Sequence, residues 1–334
     1  MTSRTRMTSA AALAAAAFIL ALPLAASAQS IGTAAPFTVS VSPQYPVPYG
    51  TAVLTVLSTS LNLANATLAV SVNGKSVYAG NVRPVSVALG SAGHSSSVKV
   101  TVSSNGTARS QTILVTPQDV SLVAEPIASV PPLYPGKSQV PLEGTTRVVA
   151  VANLRTARGT QVSPAALSYS WTVDGTQEAS ASGIGKNASV VPSPLIYRER
   201  AISVTVTSQD GTLAGGASLV LDPVEPTLRI YEADPLAGIR FERALSGSYQ
   251  LAGTETSLYG AVFSFPTGSG APTLAWFLNG SAAGAESSIT LRSTGTGKGT
   301  AHVSLTGSAG SFTSASAALD LSFGASPNTN FFGL

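Results

Sequence analysis

Histidine is the side chain most often used for acid–base catalysis, and this 334-residue chain has only two, His94 and His302. They fall in different copies of an internal repeat, so a metal site that uses both would require the chain to fold back on itself. Cysteine is absent, which excludes a thiol nucleophile and a thiolate metal site. The Gly-x-Ser-x-Gly motif of many serine hydrolases is also absent. We therefore predict a protein that is not an enzyme and that needs no cofactor.

Acidic residues gather in one short part of the second half of the chain. Carboxylate oxygens are the ligands that Ca2+ prefers, and a joint between two domains can supply several of them. Bound calcium would stiffen such a joint. The alternative, which we favour, is that these side chains are solvated charges beside prolines. The residues concerned are Asp222, Glu225, Glu232 and Asp234.

Three tyrosines stand beside prolines near predicted domain starts: Tyr45, Tyr49 and Tyr134. Exposed tyrosine rings can stack on sugars or peptides, which makes a carbohydrate-binding module, or an accessory of glycan processing, the alternative function. Rings in this position more often cover the end of a β-sandwich core. We favour that structural role.

The last residues of the sequence form a polar tether followed by apolar side chains. Phe331, Phe332 and Leu334 come after Gly-Ala-Ser-Pro-Asn-Thr-Asn. Such a tail can dock on a partner, for example by adding a strand to an exposed sheet edge. The alternative is a frayed tail, or one that folds back on its own domain. We select these three residues as the candidate docking site for a surface or envelope protein.

The first 28 residues have the layout of a secretory signal peptide. Arg4 and Arg6 precede an alanine-rich apolar stretch (10–26), and Ala26-Ser27-Ala28 supplies small residues for cleavage. The apolar stretch is too short for a lasting membrane anchor. Cleavage would remove two positive charges and lower the net charge from +3 to +1. We expect an exported protein (extracellular, cell-surface or periplasmic) without an integral membrane span after cleavage, and no nucleic-acid partner.

Composition favours strands over helices in the remaining chain. Only 10% of the residues are charged, yet 44% are hydrophobic, which is enough to build cores. Thirty-one glycines and 21 prolines interrupt short β-branched runs, and this pattern is typical of strands joined by turns. Without cysteine, these domains must be held together by packing rather than by disulfides.

An internal repeat with a period of about 100 residues organises the chain. Each copy begins with Gly-Thr before an apolar run, at Gly50, Gly144 and Gly253. An alternating strand then ends in a turn pair, and a second alternating strand leads through a glycine turn into a further strand. The turn pairs are Asn73-Gly74, Asp174-Gly175 and Asn279-Gly280, and the later glycines are Gly106, Gly211 and Gly310. Asn-Gly and Asp-Gly tolerate positive φ and suit tight turns.

The period and the turn spacing predict all-β domains of the β-sandwich type. Prolines at the repeat junctions stop strand pairing there, and the junctions are only a few residues long, so we expect a semi-rigid row of domains. The predicted divisions are a helical signal peptide at 1–28, domains at 29–118, 119–225 and 226–324, and a tail at 325–334.

The repeat resembles tandem bacterial immunoglobulin-like or PKD-like domains of exported and cell-surface proteins. Trp171 and Trp276 stand where such sandwiches carry the core tryptophan of the third strand, and Val70 takes that place in the first copy. The resemblance implies tandem Ig-like antiparallel β-sandwiches. It also implies surface display, spacing, scaffolding, adhesion or assembly rather than a reaction.

Overall fold

A computed structural model describes residues 36–324, except 252, 295–297 and 311. Strands dominate this part of the chain, and its helical elements are the short 3-10 turns Leu63–Asn65 and Pro164–Ala166. None of the described helical elements is long and apolar enough to cross a membrane. The predicted all-β class is confirmed.

Unit one is the first β-sandwich of the described chain. Its strands are β1 (Thr38–Ser42), β2 (Thr51–Leu57), β3 (Thr67–Val72), β4 (Lys75–Asn81), β5 (Val85–Ala88), β6 (Ser96–Ser104) and β7 (Thr107–Val115). A small sheet has the order β1-β2-β5, and a large sheet has the order β4-β3-β6-β7. All of these pairings are antiparallel. In β6, Val98, Val100 and Val102 alternate with more exposed residues and are fully buried, as the period-two pattern predicts.

Unit two repeats this arrangement. Its strands are β8 (Asp119–Pro126), β9 (Thr145–Asn153), β10 (Ser168–Val173), β11 (Thr176–Gln177), β12 (Gly183–Ile184), β13 (Ala188–Pro192), β14 (Arg200–Thr207) and β15 (Ala214–Leu221). The small sheet has the order β8-β9-β13. The large sheet has the order β11-β10-β14-β15, and β12 also pairs with β10.

Unit three keeps the same plan with two additional strands. Its strands are β16 (Thr227–Asp234), β17 (Gly238–Ile239), β18 (Gly247–Gln250), β19 (Glu255–Phe263), β20 (Thr273–Leu278), β21 (Ser281–Gly284), β22 (Ser288–Arg292), β23 (Gly299–Ala309) and β24 (Thr313–Phe323). The small sheet has the order β17-β16-β19-β22, and the large sheet β18-β24-β23-β20-β21. The additional strands are β17 on the small sheet and β18 on the large sheet. The predicted antiparallel sheets are confirmed, and β18, which runs parallel to β24, adds the one parallel strand pairing among the described strands. Because β18 and β24 lie far apart in the chain, no tight hairpin between them requires an antiparallel pairing.

Each unit has its own hydrophobic core between its two sheets. The buried residues of the cores run from Phe37 to Val115, from Val120 to Leu221 and from Leu228 to Leu321. The fold is therefore a tandem of immunoglobulin-like β-sandwiches. The predicted domain limits at 118 and 225 stay predictions.

The two tryptophans occupy the predicted core positions. Trp171 in β10 and Trp276 in β20 are both 0% exposed. Each indole N–H donates a hydrogen bond to a backbone carbonyl just before the next strand of the small sheet. The acceptors are Lys186, at 2.9 Å, and Glu286, at 2.8 Å. The core therefore takes up the apolar ring and also satisfies its one polar group.

The turn pairs after the third strand have a second function that their φ preference alone does not explain. Asn73, Asp174 and Asn279 all have positive φ, as predicted. In addition, the side-chain Oδ1 of each accepts a hydrogen bond from a backbone N–H of the neighbouring strand region, at 2.8–2.9 Å. The backbone N–H of the same residue donates to the carbonyl of that same partner residue at 2.8 Å. The side-chain oxygen thus serves as the hydrogen-bond acceptor for the neighbouring strand, in place of a backbone carbonyl that the turn directs away from the sheet.

Replacing Trp171 with Ala is expected to lower the free energy of unfolding of unit two by roughly 3–5 kcal/mol, because a large cavity remains in a closed core. Differential scanning calorimetry of the whole chain checks this, since only one transition should move to lower temperature. Val190→Ala, at a 60% exposed position of the same unit, is the control. An unmoved transition in Trp171→Ala would contradict the core assignment.

Replacing Asn279 with Gly is expected to cost about 1 kcal/mol of unfolding free energy, because glycine keeps the positive φ but removes the acceptor. Asn105→Gly is the matched control, since Asn105 also has positive φ in an Asn-Gly turn and its side chain makes no hydrogen bond to the rest of the described chain. Urea unfolding measures both. Equal losses in the two variants would show that the Oδ1 bond contributes nothing.

Candidate functional site at the joints between the units

The two histidines lie in different units and pair locally. His94 Nδ1 is 2.9 Å from Ser91 Oγ. His302 Nδ1 is 2.7 Å from Asp320 Oδ1, and these residues face each other across β23 and β24. His302 and Asp320 are both more than half exposed. Each histidine is thus part of a surface pair within its own unit.

The acidic residues near the second joint have separate partners. The backbone N–H groups of Ala237 and Leu236, followed by the guanidinium of Arg240, lower the pKa of Asp234 to about 2. Glu232 lies beside the hydroxyl of Tyr249 and contributes to the raised pKa of that phenol, which is due mainly to burial. No group of three or more carboxylate or imidazole side chains placed to hold a metal occurs within the described residues. The geometry therefore gives no support to the calcium hypothesis.

The first joint is held by a buried glutamine. Gln118 is 3% exposed and lies between β7 and β8. Its Nε2 donates to the carbonyl of Arg155 at 2.9 Å, and its Oε1 accepts from the N–H of Arg155 at 2.8 Å. Its own backbone N–H donates to the carbonyl of Pro46 in unit one at 3.3 Å. One residue thus connects unit one with unit two and leaves none of these polar groups unpaired.

Close backbone contact continues this joint. Gly93 of unit one has φ +82° and lies against the carbonyls of Arg155 and Thr156, where any Cβ would collide with them. Its N–H donates to the carbonyl of Pro117 at 3.0 Å. Tyr45 of unit one covers Gly216 of β15 so closely that a Cβ there would lie 2.5 Å from the ring. Gly93 is needed because its backbone meets the backbone of unit two, and Gly216 is needed because the ring of Tyr45 lies directly against its backbone.

The second joint is held by a buried serine in the long loop between β8 and β9. Ser129 is 7% exposed. Its N–H donates to the carbonyl of Phe265 at 2.8 Å, its carbonyl accepts from Ser264 at 3.0 Å, and its Oγ accepts from the N–H of Phe265 at 3.0 Å. Ala128 and Pro266 extend this contact as an antiparallel bridge. The loop from unit two therefore pairs with unit three almost as a strand does.

An aromatic cluster completes the second joint. Tyr134, from the same loop, packs edge-on against Phe241 and Phe263 of unit three, with ring centroids 5.7 and 5.0 Å apart. Phe241 in turn contacts Tyr231 and Tyr259 on the outer face of the small sheet. Burial raises the pKa of Tyr231, and the nearby guanidinium of Arg229 opposes that rise.

The structure separates the three tyrosines that the sequence grouped together. Tyr45 and Tyr134 pack across the first and second joints, so they do more than cover the end of their own core. Tyr49 is 79% exposed. Gln118 and Ser129 were missed, because a single glutamine or serine near prolines carries no pattern that distinguishes it from a solvated loop residue.

Two predicted segments lie outside the described residues: the signal peptide at 1–28 and the candidate docking residues Phe331, Phe332 and Leu334. Their roles stay predictions.

No protein-family model matches the chain, and no curated protein matches its sequence. Several solved structures of tandem domains resemble this chain, with low sequence identity and low TM-scores. The three N-terminal domains of the bacteriophage RB49 Highly Immunogenic Outer Capsid protein share 15% identity, cover 87% of this chain and 100% of theirs, and give a TM-score of 0.24. The central fibronectin-III array of RIM-binding protein shares 9% sequence identity. The match covers 87% of this chain and 96% of that array, with a TM-score of 0.29.

A third similar structure is SGBP-B of the Bacteroides ovatus mixed-linkage glucan utilization locus, in complex with a mixed-linkage heptasaccharide. It shares 12% identity, covers 86% of this chain and 70% of its own, and gives a TM-score of 0.22. Likenesses at this level carry no argument about function. The fold assignment stands on the strand order and the cores described above.

Gln118→Ala is expected to loosen the first joint, because it leaves the N–H and C=O of Arg155 without their partners, at about 1–3 kcal/mol for each buried group. Spin labels at Lys99→Cys and Ser180→Cys in the cysteine-free chain report the distance between units one and two. The distance distribution should be narrow in the parent and broad in the variant. Gln177→Ala, which removes an exposed bond to Ser170 within unit two, is the control. A distribution left narrow by Gln118→Ala would contradict the assignment.

Proposed function

We propose that the chain is a non-enzymatic spacer or scaffold protein of the bacterial immunoglobulin-like or PKD-like type, exported by its first 28 residues and acting at the cell surface or in the periplasm. The observation that carries this proposal is the construction of the joints. Both joints are closed by hydrogen bonds between one unit and the next, rather than by a solvated linker.

Such joints suit a protein that holds other components at a distance. Flexible linkers give a broad range of domain orientations. Here Gln118 and Ser129 satisfy backbone groups of the neighbouring segment, so reorienting a unit would expose or orphan those groups. The orientation of one unit therefore fixes the orientation of the next.

The outer faces of the large sheets support the same function. In unit two they carry Ser203, Thr205 and Ser218, and in unit three Ser304, Thr306 and Ser316. Hydroxyl side chains hydrate well and carry no charge. A surface of this kind stays hydrated, which suits a spacer in water.

The carbohydrate-binding alternative predicted an exposed platform of tyrosines. Tyr45 and Tyr134 are packed into the joints, so Tyr49 alone of the three is largely free. The geometry therefore favours the spacer over a tyrosine platform for glycans.

Small-angle X-ray scattering of the chain from residue 29 onward tests the spacer function. One rigid arrangement of the units should fit the scattering curve. A variant with six Gly-Ser residues inserted after Pro117 should require an ensemble of arrangements. If the parent itself requires such an ensemble, the spacer proposal is wrong.

As part of the same proposal, the tail docks on an envelope protein. The double variant Phe331→Ala/Phe332→Ala should lose association with the envelope of the producing cell, because the tail would have little apolar surface left to bury. Affinity capture of the tagged chain, followed by mass spectrometry, measures the association. Asn328→Ala/Asn330→Ala is the matched control in the same tail. Capture that is unaffected by the phenylalanine variant would overturn the docking role.

A further inference from the structure

A cleft of about 350 Å3 lies at the second joint. One wall is the loop between β8 and β9 of unit two, which contributes Tyr134. The other is the outer face of the small sheet of unit three, which contributes Tyr231 and Phe263. The volume is in the range of small-ligand sites, and junctions between domains are a preferred place for such sites.

Two cations line this cleft: Lys137 from the loop and Arg229 from β16. The guanidinium of Arg229 interacts with the hydroxyl of Tyr231. Neither cation forms an ion pair within the described ranges, and no carboxylate is among the described residues that line the cleft. Because the charge is of one sign, the cleft favours an anion.

Uncharged hydrogen-bonding groups also line the cleft. Gln139 and Thr227 line the cleft, together with Ser129 and Ser264 of the joint. Ser264 has φ +61°, a conformation that is uncommon for a residue other than glycine. Its N–H is bonded to the carbonyl of Ser129, which holds it there. Strained backbone of this kind is concentrated at binding and catalytic sites.

We propose that this cleft binds a carboxylate-bearing sugar, such as a uronic acid residue of a polysaccharide. Arg229 and Lys137 bind the carboxylate, and the exposed side chains of Gln139 and Thr227 bind the sugar hydroxyls. The half-buried rings of Tyr134 and Phe263 contact the apolar face of the pyranose ring. This activity goes beyond the spacer function and does not depend on it.

A sugar acid fits this set of groups better than the other simple anions. A phosphate or an acetate would use the cations but would leave the aromatic rings and most of the hydroxyl groups without partners. The carboxyl terminus of a peptide would also use the cations, and its backbone amides would pair with Thr227 and Gln139, so peptide binding is a named outcome of the experiment below. A polyhydroxylated ring with a carboxylate uses all three sets together.

Isothermal titration calorimetry of the chain from residue 29 onward tests the proposal. The probes are tetragalacturonate, a mannuronate tetramer and a glucuronate-containing tetrasaccharide, with neutral galactotetraose as the uncharged reference. At least one acidic probe should bind measurably more tightly than galactotetraose. That affinity should fall when sodium chloride is raised from 20 to 500 mM, because salt screens the charge interaction.

Variants then locate the site. Arg229→Gln and Lys137→Gln should each weaken binding about tenfold or more, since each removes a hydrogen bond to a charged group. Arg243→Gln, an exposed cation of the same unit outside the cleft, should bind as the parent does. Unchanged calorimetric transitions in the variants will show that the fold is intact.

The proposal is overturned if no acidic probe binds at millimolar concentration, or if binding survives Arg229→Gln and Lys137→Gln. It is also overturned if acetate or inorganic phosphate binds as tightly as the best acidic saccharide, which would mark a nonspecific anion site. Tighter binding of a short peptide with a free C-terminal carboxylate would assign the cleft to peptide recognition instead.

Discussion

Backbone N–H and C=O groups that leave water must find hydrogen-bond partners inside the protein. In this chain, side chains supply those partners at the places where strand pairing stops. Within the units, pairing between neighbouring strands supplies hydrogen-bond partners for the backbone groups of the sheets. At the turn after the third strand, the side chains of Asn73, Asp174 and Asn279 replace a missing carbonyl. At the joints, Gln118 and Ser129 supply the partners that no strand can.

This constraint links the stability of the units to their relative position. The cores are separate, so each sandwich buries its own apolar faces. The joints contain polar groups that are satisfied only when neighbouring units keep their orientation. A chain without disulfides can therefore hold its domains in a fixed orientation by local hydrogen bonds, by backbone contact at Gly93 and by the packing of Tyr45 on Gly216.

The cleft at the second joint is a consequence of the same loop. The hydrogen bonds between Ser129 and Phe265 hold the β8–β9 loop against unit three. Tyr134 of that loop then packs on part of the outer face of the small sheet. The loop covers that face incompletely, which leaves Lys137 and Arg229 beside aromatic rings. A structural contact and a polar cleft thus come from one segment, and the proposed sugar site combines residues from both sides of the joint.

The sequence by itself determined the features that depend on local periodicity and on turn chemistry. Alternation of apolar residues identified strands such as β6, and Asn-Gly and Asp-Gly pairs identified the turns. The repeat placed Trp171 and Trp276 at equivalent positions, and the resemblance to immunoglobulin-like domains implied that both are core residues. These features repeat because each unit faces the same requirement to bury one side of two sheets. Only the tertiary structure decided the parallel pairing of β18, the hydrogen bonds of Gln118 and Ser129, and the separation of Tyr45 from Tyr134. Those contacts join residues far apart in the chain. The partners of β18, Gln118 and Ser129 are backbone groups, which have the same chemistry at every residue and therefore leave no pattern in the sequence. The partners of Tyr134 are the rings of Phe241 and Phe263, which local periodicity does not link to it.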